Sequence, residues 1–341
     1  MNFLRFALVL IAFVIFSAAC SNPPPPPPEL INIDPQKWGY IDKSGAMVIP
    51  DNFKRAEAFS DGMAAVRVDK LWGYIDKTGK QVVNPQYDKV LPFSEGMGAV
   101  CKDNKWGFVD KNGGNPIWLE YEDVIPFKEE YAAVKKEGTW AYIGKNGKRI
   151  AEGFLEASSF GEGYAPFKVQ EGWGYIDTQG KRVVEPKFGS AKPFKDGLAE
   201  ITSLEGRFGL IDKNFIVTYI DPQLAPSNYT DGLSVAQRHG NWGYVNQKGK
   251  FVIKPKFRSA ERFSDGLGLV KNKDGFGYMD NTGKFIIQPQ FIRALSFTQG
   301  LAAVQIKGKW GYIDKTGKVV IEPKYLNAGQ FSEDLAAVQT N

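Results

Sequence analysis

The stretch WGYIDKTGK, residues 72–80, decides the fold of this chain. An aromatic residue and a glycine open it, apolar residues follow, and a turn then ends at Gly79. Glycine takes the positive φ that a type I turn with a G1 bulge requires, so this stretch predicts a β-hairpin. Pro85 stands just beyond it and cannot donate to a β-ladder, so it marks the end of the next strand.

The same pattern recurs along the chain with a spacing of 33 to 35 residues. A turn glycine and two further aromatic positions keep the same register. Helical repeats of similar length exist, but Gly and Pro cost about 1 and 3 kcal/mol inside a helix. The pattern therefore predicts an all-β array of nine repeats, each a three-stranded meander plus an irregular return. The repeats start at Trp38, Trp72, Trp106, Trp140, Trp173, Phe208, Trp242, Phe276 and Trp310.

These nine aromatic residues are predicted to form the core between repeats. A row of indoles also suggests stacking on sugars, but a repeat that cannot bury its own face uses its largest residue against its neighbour. Phenylalanine replaces tryptophan at two of the positions, as a core position allows. The repeated aspartates that open the turns, such as Asp76, are interpreted as turn caps rather than calcium ligands, because no repeat has a dense acidic loop.

Residues 72–80, the closely similar stretch at residues 310–318 and a trailing Phe-Ser-Asp/Glu-Gly element, as at residues 59–62, resemble the bacterial WG (KWG) β-repeats. The resemblance covers residues 30–341. It implies a β-repeat array on an exported or surface-associated protein and implies no reaction. Three repeats depart from the pattern: the third has an extra Trp118, the fourth has Trp140-Ala141, and the sixth has Phe215 in place of the turn glycine.

The two ends of the array suggest how its repeats are arranged. Strand-like segments lie at both ends, at residues 30–33 and 335–338, so no strand has to be shared between the termini. The sequence therefore favours an open, curved or superhelical array. A closed, propeller-like ring is the alternative.

The N-terminus has the pattern of an export signal. A short basic segment and an apolar run at residues 6–16 precede Ser-Ala-Ala-Cys, and the run is too short for a membrane span. We expect residues 1–19 to be removed, Cys20 to carry a lipid, and residues 20–29 to form a polyproline tether. The expected location is a membrane-anchored lipoprotein of the outer membrane, periplasm or cell surface. A secreted or periplasmic soluble protein is the alternative.

The composition excludes several classes of function. The chain has 341 residues, one His, two Cys and a net charge of +5. A single His removes the usual general base and the usual zinc ligands, and the charge is too small to indicate nucleic acid. No phosphate loop, serine elbow or Cys/His cluster is present. We therefore expect no catalytic residue, no metal and no cofactor.

The irregular middle of the array is the predicted binding patch. Residues that the repeat symmetry does not require gather there, and they are Trp118, Tyr121, Glu129, Glu130, Tyr219 and Asp221. The favoured function is a non-enzymatic, lipid-anchored scaffold that presents a β-repeat face to an envelope protein or polysaccharide. A structural envelope component is one alternative. A carbohydrate-active enzyme that uses a carboxylate pair in the same region is another.

Overall fold

The computed structural model describes residues 37–220, 230–246 and 248–340, and every regular element in these ranges is a β-strand. Cys20, the polyproline segment and Asp221 lie outside the described residues. The strands of the first three repeats are β1 (Trp38–Ile41), β2 (Met47–Phe53), β3 (Arg55–Ala56), β4 (Met63–Val68), β5 (Leu71–Asp76), β6 (Gln81–Tyr87), β7 (Lys89–Val90), β8 (Met97–Lys102), β9 (Lys105–Asp110), β10 (Ile117–Tyr121), β11 (Asp123–Lys128) and β12 (Tyr131–Lys136).

The middle repeats continue the same order with one departure. Their strands are β13 (Thr139–Gly144), β14 (Arg149–Phe154), β15 (Glu156–Ala157), β16 (Tyr164–Val169), β17 (Gly172–Asp177), β18 (Arg182–Ala191), β19 (Leu198–Ser203), β20 (Phe208–Asp212), β21 (Val217–Tyr219) and β22 (Leu233–Arg238). The long β18 pairs with β17 through its first half and with β19 through its second half, so two units share one seven-stranded sheet.

The last repeats return to the regular pattern. Their strands are β23 (Asn241–Asn246), β24 (Phe251–Phe257), β25 (Ser259–Ser264), β26 (Leu267–Lys271), β27 (Phe276–Met279), β28 (Phe285–Phe291), β29 (Leu301–Ile306), β30 (Lys309–Asp314), β31 (Val319–Tyr325), β32 (Asn327–Ala328) and β33 (Ala336–Gln339). A regular unit is an antiparallel sheet of four strands, as in the order β3-β4-β5-β6. The all-β array of repeated meanders that the sequence predicts is thus confirmed.

The chain ends meet in one sheet. Strand β1 pairs with β33 in the order β2-β1-β33-β32, with Trp38 opposite Gln339 and Ile41 opposite Ala336. The first and last repeats therefore complete one unit together. The ends of the array therefore meet, as the closed, propeller-like alternative expects, and do not lie apart as in an open array. The C-terminal strand-like segment lies beside the first Trp-Gly strand, and residues 30–33 lie outside the described residues.

Apolar cores lie at the junctions between neighbouring units. Eight buried clusters each combine residues of two successive units, and one of them joins the last unit to the first through Tyr312 and Val338. Each sheet is too small to bury an apolar face alone, so stacking on its neighbours supplies the core. The remaining junction, between the sixth and seventh repeats, adjoins residues 221–229, which are outside the described part.

The glycine of each Trp-Gly pair is explained by a bulge in the next strand. Between Trp72 and Tyr74 the partner strand β6 carries extra residues, and a Cβ on Gly73 would lie 2.3 Å from the Val83 carbonyl oxygen. The fourth repeat differs, because Trp140 and its partner Phe154 are one position closer in sequence than Trp72 and Tyr87, so the second strand is one residue shorter there. Ala141 occupies the glycine position there, so the missing residue and the missing glycine have one cause.

Candidate functional site

The aromatic column does not supply the most deeply buried ring. Trp106, Trp140 and Trp310 are buried, while the other members are half-buried, and of these only Phe208 belongs to no apolar cluster. The deepest ring is the tyrosine two positions after the tryptophan, which is fully buried in most repeats. These tyrosines are Tyr40, Tyr74, Tyr142, Tyr175, Tyr244, Tyr278 and Tyr312. In the sequence, the recurring motif WGY indicates the positions of these tyrosines.

Each of these tyrosines connects its unit to the next one. Tyr74 donates to the carbonyl oxygens of Leu91 and Ala99 at 2.6 and 3.0 Å, and Tyr312 donates to that of Gly329 at 2.8 Å. Burial raises the pKa of Tyr74 and Tyr312 well above the usual value. The hydroxyls therefore stay protonated and act as fixed donors between units.

A second connection between units comes from an acidic residue in a tight turn. Ser60 and Met63 exchange backbone hydrogen bonds around Asp61 and Gly62, which both have positive φ, as in a type I′ turn. The Asp61 carboxylate accepts a hydrogen bond from the Gly96 amide of the next unit and pairs with Lys111 of that unit. Burial raises the pKa of Asp61, but Lys111 and the Gly96 amide outweigh it and hold the pKa below its usual value.

The same carboxylate contact recurs around the ring. Glu95 accepts from the amides of Glu129 and Glu130 at 2.6 and 2.8 Å, and Glu162 accepts from that of Gly197 at 3.1 Å. Glu333 makes the same contact where the chain ends meet: it accepts a hydrogen bond from the Gly62 amide at 3.0 Å and pairs with the Lys77 ammonium at 3.0 Å. These acidic residues stabilise junctions between units.

The aspartates that open the repeated turns cap them, as the sequence predicts. In each case one carboxylate oxygen accepts from the amides two and four positions later, at 2.8 to 3.1 Å. The residues are Asp42, Asp76, Asp110, Asp177, Asp212, Asp280 and Asp314. A hydrogen bond from the Thr78 hydroxyl lowers the pKa of Asp76. Within the described ranges no three or more acidic, His or Cys side chains come together as metal ligands would.

The predicted binding patch separates into residues of different kinds. Tyr121 is buried in the core at 3% exposure, where a partner cannot reach it. Glu129 accepts from the amides of Glu162 and Gly163 and so belongs to the junction carboxylates. Glu130 is exposed and pairs with Lys145 at 2.6 Å.

Trp118 is the most exposed large hydrophobic residue in the described part of the chain, at 75%. It lies on β10, an edge strand of its sheet. The position that corresponds to it in regular repeats holds an exposed proline or polar residue, as at Pro50, Asn84 and Lys254. Nearby on the same strand, Glu120 pairs with Lys136 at 2.6 Å. An exposed indole with charged neighbours results.

Tyr219 lies on another edge strand, β21, and is 40% exposed. The Arg207 guanidinium carbon lies 4.5 Å from the centre of its ring, which is a cation–π distance. Strands β10 and β21 belong to different sheets, so the structure does not bring Trp118 and Tyr219 together in one patch.

Sequence reasoning missed a cavity where the chain ends meet. It has a volume of ≈ 650 Å³ and is lined by short-strand residues of neighbouring units together with the Trp38 indole; its polar side chains include Arg55, Glu57, Asn327 and Gln330. Within the described part of the chain the buried indole N–H of Trp38 has no partner, and neither have those of Trp106 and Trp310, so this is not particular to the cavity. The cavity depends on ring closure, which the sequence did not predict.

No helix within the described ranges has the length and apolar character needed to cross a membrane. No curated protein matches the chain. Among solved structures, a eukaryotic initiation factor matches 90% of this chain and 99% of its own, with 10% identity and a TM-score of 0.54. BamB from Moraxella catarrhalis matches 84% and 96% with 10% identity and a TM-score of 0.41, and the WD40 beta propeller domain of Doa1 matches 65% and 87% with 14% identity and a TM-score of 0.32. At such identity the likeness to the initiation factor shows the fold alone.

The WG-containing repeat matches the sequence in seven places. The matched ranges are 38–72, 72–106, 106–140, 173–202, 242–275, 276–310 and 310–341. The repeats that start at Trp140 and Phe208 are unmatched, and they are two of the three that depart from the pattern in sequence. Since the matched ranges cover most of its length, the chain belongs to the family of WG-containing repeat proteins.

Proposed function

We propose that this protein is a non-enzymatic binding scaffold that a lipid on Cys20 holds at the cell envelope, and that Trp118 anchors its protein or polysaccharide partner. The observation that carries the proposal is the exposure of Trp118 at a position where regular repeats have proline or a polar residue. An indole exposed to water leaves a large apolar surface unburied, so its burial by a partner is favourable. Tryptophan is also enriched among the interface residues that contribute most of the binding energy. The closed ring supplies a rigid support for it.

The chemistry of the junctions supports a scaffold rather than an enzyme. A carboxylate pair in the middle repeats was the alternative, and Glu129 was one candidate for it. Glu129 instead accepts two backbone hydrogen bonds from the next unit, at 2.5 and 2.7 Å. A carboxylate in that position stabilises the ring, and general acid catalysis would require it to be free to exchange a proton with a substrate.

Capture of envelope proteins and glycans by the full chain tests the proposal. The variant Trp118→Asn introduces the residue that the second repeat has at the equivalent position, Asn84, and a second variant replaces repeats three to six with copies of repeat two. We expect both to lose the partner that the wild-type protein captures. Val252→Asn, at an exposed apolar residue on another edge strand, is the control and retains it. Equal capture by the wild type and Trp118→Asn contradicts the proposal.

Anchoring is tested separately. Wild-type protein should incorporate a labelled fatty acid and sediment with membranes, and Cys20→Ala should do neither. A Cys20→Ala protein that remains with membranes contradicts the lipid anchor without affecting the role of Trp118.

A further inference from the structure

A cluster of positive charge lies between the seventh and eighth repeats, away from Trp118. A pocket of ≈ 440 Å³ there is lined by Asn241, Lys256, Phe257, Arg258, Asn272, Lys273 and Phe285. Three of the lining residues are cations and none is acidic. Among the described residues none of these three cations forms an ion pair with a carboxylate, so their charge is not neutralised within the protein.

At two other junctions an acidic residue stands where this one has Arg258, whereas the first repeat has Lys54 there. At the position of Arg258 the second and third repeats have Asp88 and Glu122. The Asp88 carboxylate accepts from the amide of Asp103 at 2.9 Å, and Glu122 accepts from that of Gly138 at 3.2 Å. An acidic residue thus caps the hairpin of the following unit at these junctions. Arg258 reverses the sign of the charge at the same place.

The hairpin of the eighth repeat has changed together with Arg258. Its turn is closed by a hydrogen bond from the Asn272 amide to the Gly275 carbonyl oxygen, and Asn272 itself caps it by accepting from the Asp274 amide at 2.7 Å. The turn therefore no longer needs an acidic cap from the preceding unit. Lys273 occupies the turn and adds a further cation to the pocket.

Two cations on either side of Phe257, Lys256 and Arg258, also distinguish this junction. Lys256 stands just before the buried Phe257, and its ammonium lies 5.3 Å from the centre of that ring. Lys324 has the same place before Tyr325 in the ninth repeat, also at 5.3 Å, but Leu326 follows where the seventh repeat has Arg258. Lys324 is therefore the same local arrangement without the companion charge, and it provides a matched control.

We propose that this pocket binds the anionic group of an acidic sugar unit in a polysaccharide. A guanidinium and two ammonium groups bind carboxylate or sulfate oxygens through charge-assisted hydrogen bonds. The volume is in the range of small-molecule sites and exceeds what a bare ion needs. Phe285, which is half-buried, offers apolar surface for the sugar ring, and the exposed Asn241 amide is available for a hydroxyl group. Asp274, the nearest acidic residue on the same turn, accepts from the Asn272 side-chain amide at 3.2 Å.

This inference deepens the proposed scaffold function by naming a ligand class, but it uses a different surface from Trp118. Calorimetry with the full chain can measure binding of a galacturonate oligomer, of its uncharged methyl ester and of a sulfated oligosaccharide. We expect an acidic oligomer to bind and the ester not to bind, and the comparison of carboxylate with sulfate identifies which acid is preferred. Binding should weaken as salt is raised, because the attraction is electrostatic.

Variants assign the binding to this pocket. Arg258→Asp, which introduces the residue of the second repeat, should weaken binding by about tenfold or more, and Lys256→Gln should weaken it less. Lys324→Gln should leave it within about twofold. An unchanged melting temperature shows that a variant is folded, and Lys256→Gln serves if Arg258→Asp fails to fold.

Three results overturn the proposal. The first is equal binding of the acidic oligomer and its ester. The second is an equal loss in Lys256→Gln and Lys324→Gln, which indicates general charge attraction. The third is stronger binding to anionic phospholipid vesicles than to any oligomer, which identifies a lipid surface as the ligand. If this pocket does not bind the acidic oligomer but the protein still captures a partner through Trp118, the scaffold proposal is unaffected.

Discussion

The backbone amide of Gly62 donates a hydrogen bond to the Glu333 carboxylate at 3.0 Å, although 271 positions separate the two residues in sequence. The same geometry joins Gly96 to Asp61 and Gly300 to Asp265 inside the array. The junction between the last and the first repeats is therefore equivalent to an internal one. The last and first repeats need no special contact to meet, because they are joined by the same carboxylate–amide hydrogen bond that joins neighbouring repeats elsewhere.

Replacement of Glu333 tests how much that contact contributes to closure. In Glu333→Ala the Gly62 amide and the Lys77 ammonium both lose their acceptor. We expect a loss of about 1–2 kcal/mol in the free energy of unfolding, since a hydrogen bond to a charged group exceeds a neutral one. Denaturant unfolding measures it. Glu322→Ala, at an exposed glutamate on β31, should stay within about 0.5 kcal/mol of wild type. Equal effects of the two changes would contradict a role for Glu333.

The junction carboxylates also predict how stability depends on pH. Burial raises the pKa of Glu333, but Lys77 and the Gly62 amide outweigh it, so the folded-state pKa lies below the usual 4.5. A carboxylate with a lowered pKa stabilises the fold fully above its unfolded-state pKa and loses that contribution as the pH falls through its folded-state pKa. We therefore expect the melting temperature to be steady near neutral pH and to fall below about pH 4.5.

The variant Glu333→Gln isolates one carboxylate in that pH dependence. Its amide oxygen can still accept from Gly62, but it has no charge for Lys77. It should be less stable than wild type at pH 7 and approach wild type as the pH falls through the lowered folded-state pKa of Glu333. If the difference in melting temperature between Glu333→Gln and wild type is the same at every pH, Glu333 does not contribute to the loss of stability in acid.

The bulge beside each Trp-Gly pair predicts that the second and fourth repeats differ in how they tolerate a methyl group at the glycine position. Gly73→Ala would place a Cβ 2.3 Å from the Val83 carbonyl oxygen, so strand β6 must shift, at a cost of about 1–3 kcal/mol. The reverse change, Ala141→Gly, removes a methyl group where the strand is shorter and should cost only about 0.5–1 kcal/mol. Thermal unfolding of both proteins checks the order. A Gly73→Ala protein as stable as wild type would remove the bulge as the reason for glycine.

The repeat unit could be predicted from sequence because its signals are local. Turn glycines such as Gly79 and strand-ending prolines such as Pro85 act within a few residues, so the β-meander and the turn-capping aspartates followed directly. Closure could not be predicted in the same way. It depends on whether the twist of nine small units brings β33 beside β1, and the sequence of either strand is equally compatible with a free end.

The candidate sites also include some features that the sequence predicts and others that it does not. The exposure of Trp118 agrees with its place outside the repeat symmetry. Tyr121 and Glu129 lie near it in sequence but fill regular positions of the repeat, one in the core and one at a junction. The cations Lys256 and Arg258 were overlooked, because their meaning appears only when the register shows that Asp88 is the counterpart of Arg258.

The buried tyrosine of each unit gives a last prediction. In Tyr74→Phe the ring still fills its place beside Phe93, but the Leu91 carbonyl oxygen loses the hydroxyl donor, while that of Ala99 keeps the Leu91 amide. Because the hydroxyl group is buried, we expect its removal to cost about 1–2 kcal/mol in the free energy of unfolding. Tyr164→Phe is the matched control, since Tyr164 packs against Phe194 and its hydroxyl makes no hydrogen bond to the described residues. It should change stability by less than about 0.5 kcal/mol. If both variants unfold like wild type, the hydroxyl of Tyr74 does not hold neighbouring units together and the apolar core alone does.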